Sequence, residues 1–225
     1  MLVKNWMSQN VITIDVNDSM MDAMKLLKEN DIRMLPVMKK GELVGIVTDR
    51  DLKKASASDA TVLEIHELTY LISEIKVKQI MTENPITVSP DFTVEETAEV
   101  LLKNKISGVP VADDQGQVVG IITQNDLFRV LISLTGIGAR GVQFAFMLED
   151  RPGSIKEIAD IIRKHGGRMV SILSTYKGVS EGYRKAYIRM YGINRLTLPR
   201  LKEELKEKAP VLYMVDSRDN KREIY

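Results

Sequence analysis

Residues 7–54 align on residues 81–129 with a single one-residue insertion in the second copy, and this internal repeat restricts the possible folds more than any other feature of the chain. Met7 matches Met81, Asn10 matches Asn84, Ile12-Thr13 matches Ile86-Thr87, Asn30 matches Asn104, Ile32 matches Ile106, and Pro36-Val37 matches Pro110-Val111. The alignment ends in GIVTDRDL (45–52) against GIITQNDL (120–127). Each copy reads as an extended start (VITI, PITV), a helix, a short strand through the proline, a turn at Gly41 or Gly116, a second strand (LVGIVT, VVGIIT) and a second helix. One such β-α-β-β-α unit buries little surface by itself. Two packed together share a core, which is why the unit comes in tandem.

The first helix of each copy carries apolar residues at helical spacing: Met20, Ala23, Met24 and Leu27, then Val94, Ala98, Leu101 and Leu102. Ser19-x-x-Asp22 and Thr93-x-x-Glu96 before them are capping-box patterns. The second strands are apolar enough to be buried on both faces. Between the copies, Val62, Ile65, Leu68, Ile72 and Ile75 recur at three- and four-residue steps, predicting an inserted amphipathic helix over about 58–76 that serves an interface.

A different pattern begins after TGIGARG (135–141). VQFAFML is a strand, SIKEIADIIRKHG a helix, RMVSILSTY and YRKAYIRMY strands, LPRLKEELKEK a helix and PVLYMV a last strand, giving the ferredoxin-like βαββαβ order. The expected class is therefore α+β. Its domains are a repeat pair over 1–134 (repeats about 1–55 and 77–134), a second domain over 142–217, and a charged, frayed tail over 218–225.

With 32 basic and 31 acidic residues the chain has no general pull toward polyanions. It has no cysteine, and no run suits a signal peptide or a membrane span, so a cytoplasmic protein is expected. Two histidines, His66 and His165, leave no recognisable nucleophile–base pair and no metal set, so no enzyme and no catalytic cofactor are expected. HELTY (66–70) lacks the second histidine of a zinc-protease motif. Gly136-x-Gly138-x-x-Gly141 spells a dinucleotide fingerprint in the wrong context, after a helix and before a strand, and reads as a linker.

The chemistry concentrates in the repeated stretch. Thr48-x-x-Asp51 and Thr123-x-x-Asp126 fit a capping box and equally fit a ligand site. Gly45 and Gly120, three residues earlier, permit close approach of a flat group, and free N–H groups at the helix start can meet phosphate. A carboxylate repels phosphate but accepts hydrogen bonds from a ribose diol.

In the order VITI, IRMLPV, GIVTDRDL, repeated as PITV, ISGVPV, GIITQNDL, residues 1–134 resemble paired cystathionine-β-synthase (CBS) domains. The resemblance implies a regulatory module that binds AMP, ADP, ATP or another adenosine derivative such as S-adenosylmethionine between the repeats, with magnesium left open. It implies that Gly45, Thr48, Asp51, Gly120, Thr123 and Asp126 handle ribose and phosphate, the two aspartates taking the ribose hydroxyls. Thr13 or Thr87, with Ile32, Arg33 and Met34 or Ile106, Ser107 and Gly108, would border the adenine, beside Pro36 and Pro110. The first copy carries Arg33 and Arg50 where the second has Ser107 and Asn125, so phosphate suits the first and two unequal clefts are expected.

LEDRPGSIKEIADIIRKHG, with Asp150, Pro152 and Gly153 before the helix and Ser154-x-x-Glu157 as its cap, together with the βαββαβ order, resembles the ACT domain, which implies dimerisation or amino-acid binding near that loop. The whole arrangement resembles the acetoin-utilisation AcuB-like proteins, and implies a homodimer or higher oligomer regulating an unspecified enzyme. Two alternatives stand beside it. One is a ligand-independent scaffold. The other, more remote, is an RNA-binding sheet, because Tyr183, Lys185, Tyr187, Arg189 and Tyr191 fall on one strand face.

Overall fold

A computed structural model describes residues 1–59 and 74–225, so most of the predicted inserted helix, including Val62, Ile65, Leu68, Ile72 and the HELTY stretch, lies outside the described residues. The chain divides into two compact units, Met1–Leu127 and Phe128–Tyr225. The boundary falls inside the helix Gln124–Thr135.

In the first unit, β1 (Ile14–Asp15), α1 (Met20–Glu29), β2 (Met34–Lys39), β3 (Glu42–Thr48) and α2 (Asp49–Asp59) form one half. A short helix α3 (Val77–Ile80) and β4 (Thr82–Glu83) follow, then α4 (Val94–Asn104), β5 (Gly108–Ala112), β6 (Val118–Thr123) and α5 (Gln124–Thr135). The extended start of the second copy is reduced to one parallel bridge, Val88 to Val111.

The packing does not respect the ends of the repeats. β4 begins the second copy yet pairs with β3 of the first, Gly45 opposite Glu83 and Ile46 opposite Thr82. Ser8, its repeat equivalent, bridges Ile121 of the second copy. Val3 is fully buried with Val88, Leu101, Val109, Val111 and Ile122, whereas Val77 is fully buried with Met20, Leu35, Val37 and Val47. Each leading segment therefore completes the other copy's core, and neither half of the pair is whole without it. A cut at about 1–55 and 77–134 follows the repeat and not the packing.

Both predicted capping boxes form. Asp22 N donates to Ser19 Oγ over 3.1 Å and Ser19 N donates to Asp22 Oδ2 over 3.1 Å, and Thr93 and Glu96 repeat the arrangement at 3.1 and 2.7 Å. The helices bury a narrower stripe than their apolar residues suggest. Met24 and Leu102 face outward, 43% and 74% exposed, while Thr97 is fully buried and bonds the Thr93 carbonyl. The strands also differ from expectation. β2 buries four consecutive residues from Met34 to Val37, but β3 and β6 bury only alternate residues, Gly45 and Val47, then Gly120 and Ile122, because one face of each borders the repeats' shared cleft or surface.

The second unit runs β7 (Val142–Glu149), α6 (Ser154–Lys164), β8 (Arg168–Thr175), β9 (Tyr183–Tyr191), α7 (Leu198–Lys208), β10 (Val211–Asp216) and β11 (Lys221–Ile224). Its antiparallel sheet has the order β11-β10-β7-β9-β8, the ferredoxin-like arrangement with one strand added at an edge. Phe144, Phe146, Ile188 and Met190 on one sheet face pack against Ile158, Ile162, Leu201 and Leu205 of the two helices.

Three expectations are corrected in this unit. The 218–225 tail is not frayed: Lys221–Ile224 pairs with β10, Lys202 Nζ lies 2.5 Å from Glu223, Tyr225 donates to the same carboxylate over 2.6 Å, and Lys206 stands 4.2 Å from the Tyr225 ring centre. Charge in this segment is spent on specific partners, which its lack of apolar periodicity concealed. Ser154-x-x-Glu157 is not a capping box, because Gly153 takes the N-cap position with φ 87° and makes no side-chain cap. Glu157 instead binds Arg151 at 2.7 and 2.9 Å and Lys208 at 2.8 Å. Arg189, one member of the predicted basic face, is only 5% exposed and gives its guanidinium to the Thr135 carbonyl, Ser217 and Gln143. Burial lowers its pKa, and among the described residues no carboxylate forms an ion pair with it. The carbonyl at the C-terminal end of α5 offsets the charge in part, being the negative pole of that helix.

Hydrogen bonds from Arg151, then Lys208, hold the Glu157 pKa down to about 2. A depressed carboxylate contributes stability above its unfolded pKa and loses it as pH falls through the folded value. The melting temperatures of the wild type and Glu157→Gln should therefore differ at neutral pH and converge as pH drops from the ordinary glutamate range toward 2. A difference that does not change with pH would contradict the pairing.

Candidate nucleotide site

Helix α2 starts directly at the end of β3, so the residues of GIVTDRDL are fixed by a strand on one side and a helix N-terminus on the other. Thr48 N and Oγ1 both donate to Asp51 Oδ2, over 2.9 and 2.6 Å, and Asp51 N donates back to Thr48 Oγ1 over 3.3 Å. The capping reading is thus correct as far as one carboxylate oxygen goes. Asp51 Oδ1 has no hydrogen-bond partner among the described residues, and Asp51 borders a cleft of about 830 Å³. In the second copy Thr123 N and Oγ1 donate to Asp126 Oδ2 over 2.9 and 2.7 Å, and Asp126 is only 5% exposed.

The Asp51 cleft is built from both copies. The first supplies Arg33, Met34, Ile46, Thr48, Asp49, Arg50 and Lys53, and the second supplies Thr82, Asn84, Pro85, Ile86, Lys105, Ile106, Ser107, Gly108 and Gln124. Apolar walls at Ile46, Ile86 and Ile106 can sandwich a flat base, and a size of this order suits a nucleotide. Four cations, Arg33, Arg50, Lys53 and Lys105, face two carboxylates, Asp49 and Asp51. Lys53 is tied loosely to Asp49 at 3.4 Å. Arg33 and Arg50 are exposed and have no acidic partner among the described residues.

Of the predicted residues, the structure brings Arg33, Met34, Thr48, Arg50, Asp51, Ile106, Ser107 and Gly108 to this one cleft. Thr13, Ile32, Pro36, Thr87, Pro110, Thr123 and Asp126 do not line it. Pro36 and Pro110 sit inside β2 and β5, opposite Ile46 and Ile121. Gly45 and Gly120 have another duty. A Cβ on Gly45 would stand 3.1 Å from Met81 Cγ and from the Thr82 carbonyl, and one on Gly120 would stand 2.8 Å from Met7 Cγ and 3.1 Å from the Ser8 carbonyl. The close approach seen at these glycines is that of the exchanged leading segments. Asn84, Pro85, Ile86, Lys53 and Lys105 were not anticipated. The match of Asn10 with Asn84 was the available signal, since Asn84 holds a left-handed φ of 49° where the crossing segment turns into the cleft.

In the second unit Asp150 Oδ1 accepts from Tyr176 Oη over 3.2 Å and lies 3.8 Å from Arg184 Nε, while Arg184 donates to Ser154 Oγ. Pro152 and Gly153 are exposed in the turn before α6. Among the described residues no group of three or more acidic residues and histidines could hold a metal ion, and no helix is long and apolar enough to cross a membrane.

The CBS-domain family model matches residues 3–58 and 77–133, just over half the chain and the same two stretches that repeat. The chain belongs to the CBS-domain family. A CBS domain-containing protein of Dictyostelium discoideum is 35% identical over 134 residues, covering 59% of this chain and 92% of its own. The L-aspartate semialdehyde sulfurtransferase of Methanocaldococcus jannaschii is 39% identical over 130 residues, which are 57% of this chain and 23% of that one. The solved CBS domain pair of protein MJ0100, in complex with 5′-methylthioadenosine and S-adenosyl-L-methionine, is 38% identical with a TM-score of 0.51, covering 58% of this chain and 95% of that one. CBS pairs are generally regulatory and non-catalytic modules, and each of the three similarities covers no more than 59% of this chain.

Proposed function

We propose that this CBS pair is a non-enzymatic, cytoplasmic sensor that binds an adenosine nucleotide in the Asp51 cleft, and that the second unit is an ACT-type module for dimerisation or amino-acid sensing. The observation that carries the reading is Asp51 itself. Its Oδ2 closes the helix cap and its Oδ1 remains available to the cleft, so one carboxylate can serve structure and a ribose diol together. Ile86 and Ile106 would flank the adenine, and Arg33, Arg50 and Lys105 would meet phosphate. The adenosine compounds held by the MJ0100 pair support the choice of base and sugar. The four cations favour ADP or ATP over uncharged or sulfonium derivatives.

The scaffold reading keeps one specific observation: the Thr48–Asp51 bonds have the same form as the Ser19–Asp22 box, where no ligand is invoked. Native mass spectrometry of freshly purified protein separates the two. A bound adenine nucleotide supports the sensor, and calorimetry flat for AMP, ADP, ATP and S-adenosylmethionine at millimolar concentration would leave the scaffold. Charge gives a second test. Arg50→Ala and Lys105→Ala should each weaken ADP by about twofold to fivefold, the range of an exposed ion pair, and leave adenosine binding unchanged. Rising salt should erase that difference.

A further inference from the structure

Lys105 enters the Asp51 cleft on an unfavourable backbone. It is the C-cap of α4 with a left-handed φ of 55°, a conformation that a lysine rarely adopts and that its surroundings must therefore hold. On one side the helix does this, because Lys105 N and Ile106 N donate to the carbonyls of Leu102 and Leu101 over 3.3 and 3.1 Å. On the other side a single residue does it. Gln124 N donates to the Ser107 carbonyl over 2.9 Å and Gln124 Nε2 to the Ile106 carbonyl over 3.3 Å, so two successive carbonyls are tied to the first residue of α5. The first copy provides the comparison. There Asp49 stands where Gln124 does, and its N–H makes the equivalent bond to the Arg33 carbonyl over 3.1 Å. A carboxylate has no N–H to offer Ile32, and Asp49 turns instead to Lys53 at 3.4 Å. The double tie is found in the copy whose Lys105 and Ile106 line the cleft; their equivalents Asp31 and Ile32 do not line it.

We propose that Gln124 is a positioning residue of the Asp51 cleft: its side-chain amide fixes the Ile106 carbonyl and thereby holds Lys105 and Ile106 toward the ligand. Its effect on binding rests on the nucleotide reading of that cleft; its effect on the backbone does not. Gln124 is exposed, so replacing it disturbs no core. Gln124→Met keeps the reach of the side chain and removes the donor. Gln124→Asp gives the second copy the residue of the first.

Amide-resolved hydrogen exchange on the ligand-free full chain reads the backbone role, and titration with ADP reads binding. In both variants the amides of Lys105, Ile106 and position 124 should exchange about fivefold faster, the equivalent of one net hydrogen bond. The amides of Asp31 and Ile32 should keep their rates, which separates a local release from a general loss of stability. ADP affinity should fall by about fivefold in Gln124→Met. In a Lys105→Ala background the same change should cost less, because a group that Gln124 positions is already gone. Unchanged exchange at Lys105 and Ile106 would remove the tie, and losses from Gln124→Met and Lys105→Ala that simply multiply would make Gln124 a direct ligand contact. Either result overturns the proposal and leaves the nucleotide reading standing. Faster exchange in a protein that binds no adenosine compound overturns that reading, and the binding role with it, while the tie itself stands.

Discussion

Asp51→Ala should lower ADP affinity by ten- to a hundredfold, the equivalent of the roughly 1.5–3 kcal/mol attached to a hydrogen bond made to a charged group. The same change opens the Thr48 cap and should cost about 1 kcal/mol of stability, so binding and folding must be separated. Asp22→Ala provides the control. It removes a carboxylate with the same capping geometry from α1, at a site away from the cleft lining, and should reproduce the loss of stability with ADP affinity unchanged. Asp51→Asn keeps an acceptor oxygen for the cap and withdraws the charge, so it should restore most of the melting temperature and only part of the affinity. Asp126→Ala should act chiefly on stability, because that carboxylate is buried and does not line the cleft. Calorimetry on the four variants decides the matter. Equal affinity losses from Asp51→Ala and Asp126→Ala would remove the inequality of the two halves, and no loss from either would remove ribose recognition.

Much of this fold could be read from the chain because the repeat supplies its own comparison. The element order, the Ser19–Asp22 and Thr93–Glu96 caps, and the ferredoxin-like order of the second unit all follow from local rules in which each residue acts within a few positions of itself. Contacts made at long separation are the ones spacing shows least. Gly45 and Gly120 read as ligand glycines from spacing, and the partners that need their missing Cβ, Met81 and Met7, arrive from the other copy's leading segment. Asn84 follows β4 and so comes to the Asp51 cleft with the crossing of β4 onto β3, whereas Lys105 comes with its neighbours Ile106 to Gly108 from the end of α4. Glu157 was matched to Ser154 by spacing, but its partners are Arg151 and Lys208, the second more than fifty residues away. The tail pairs with β10 as a hairpin, and its charges meet Lys202 and Lys206 of α7, neither of which apolar periodicity reveals. The resemblance leaves open which of Ile32 to Met34 and Ile106 to Gly108 stands beside Asp51, and spacing alone leaves capping and binding equally open; the cleft holds residues of both segments.

Gly141→Ala should be the most damaging single methyl in the second unit. The GxGxxG stretch reads as an undemanding linker, yet its three glycines stand in different surroundings. A Cβ on Gly138 would meet nothing within 4 Å. One on Gly136, where φ is 62°, would approach Val170 Cβ at 3.1 Å and press its γ-methyl harder, and that side chain has some freedom to turn. One on Gly141 would stand 2.8 Å from the Met190 carbonyl carbon and closer still to its oxygen, with the Tyr191 nitrogen at 3.3 Å. These are backbone atoms of β9, which is held on both sides by β7 and β8. No rotamer change can relieve the overlap, so the start of β7 must move away from β9. That movement breaks the register at Val142 and Met190, loosens the Ser217 N–H bond to the Gly141 carbonyl at 3.0 Å, and shifts the sheet to which Arg189 anchors the Thr135 carbonyl. Overpacking a core typically costs about 1–3 kcal/mol, and an overlap with fixed backbone belongs at or above the top of that range. For a unit of this size the melting temperature should fall by on the order of 10 °C or more. Gly138→Ala should leave it within a degree or two, and thermal unfolding of the two variants side by side checks both. Equal melting temperatures would show that residues 136–141 are a tether after all, and that β7 does not begin against Met190.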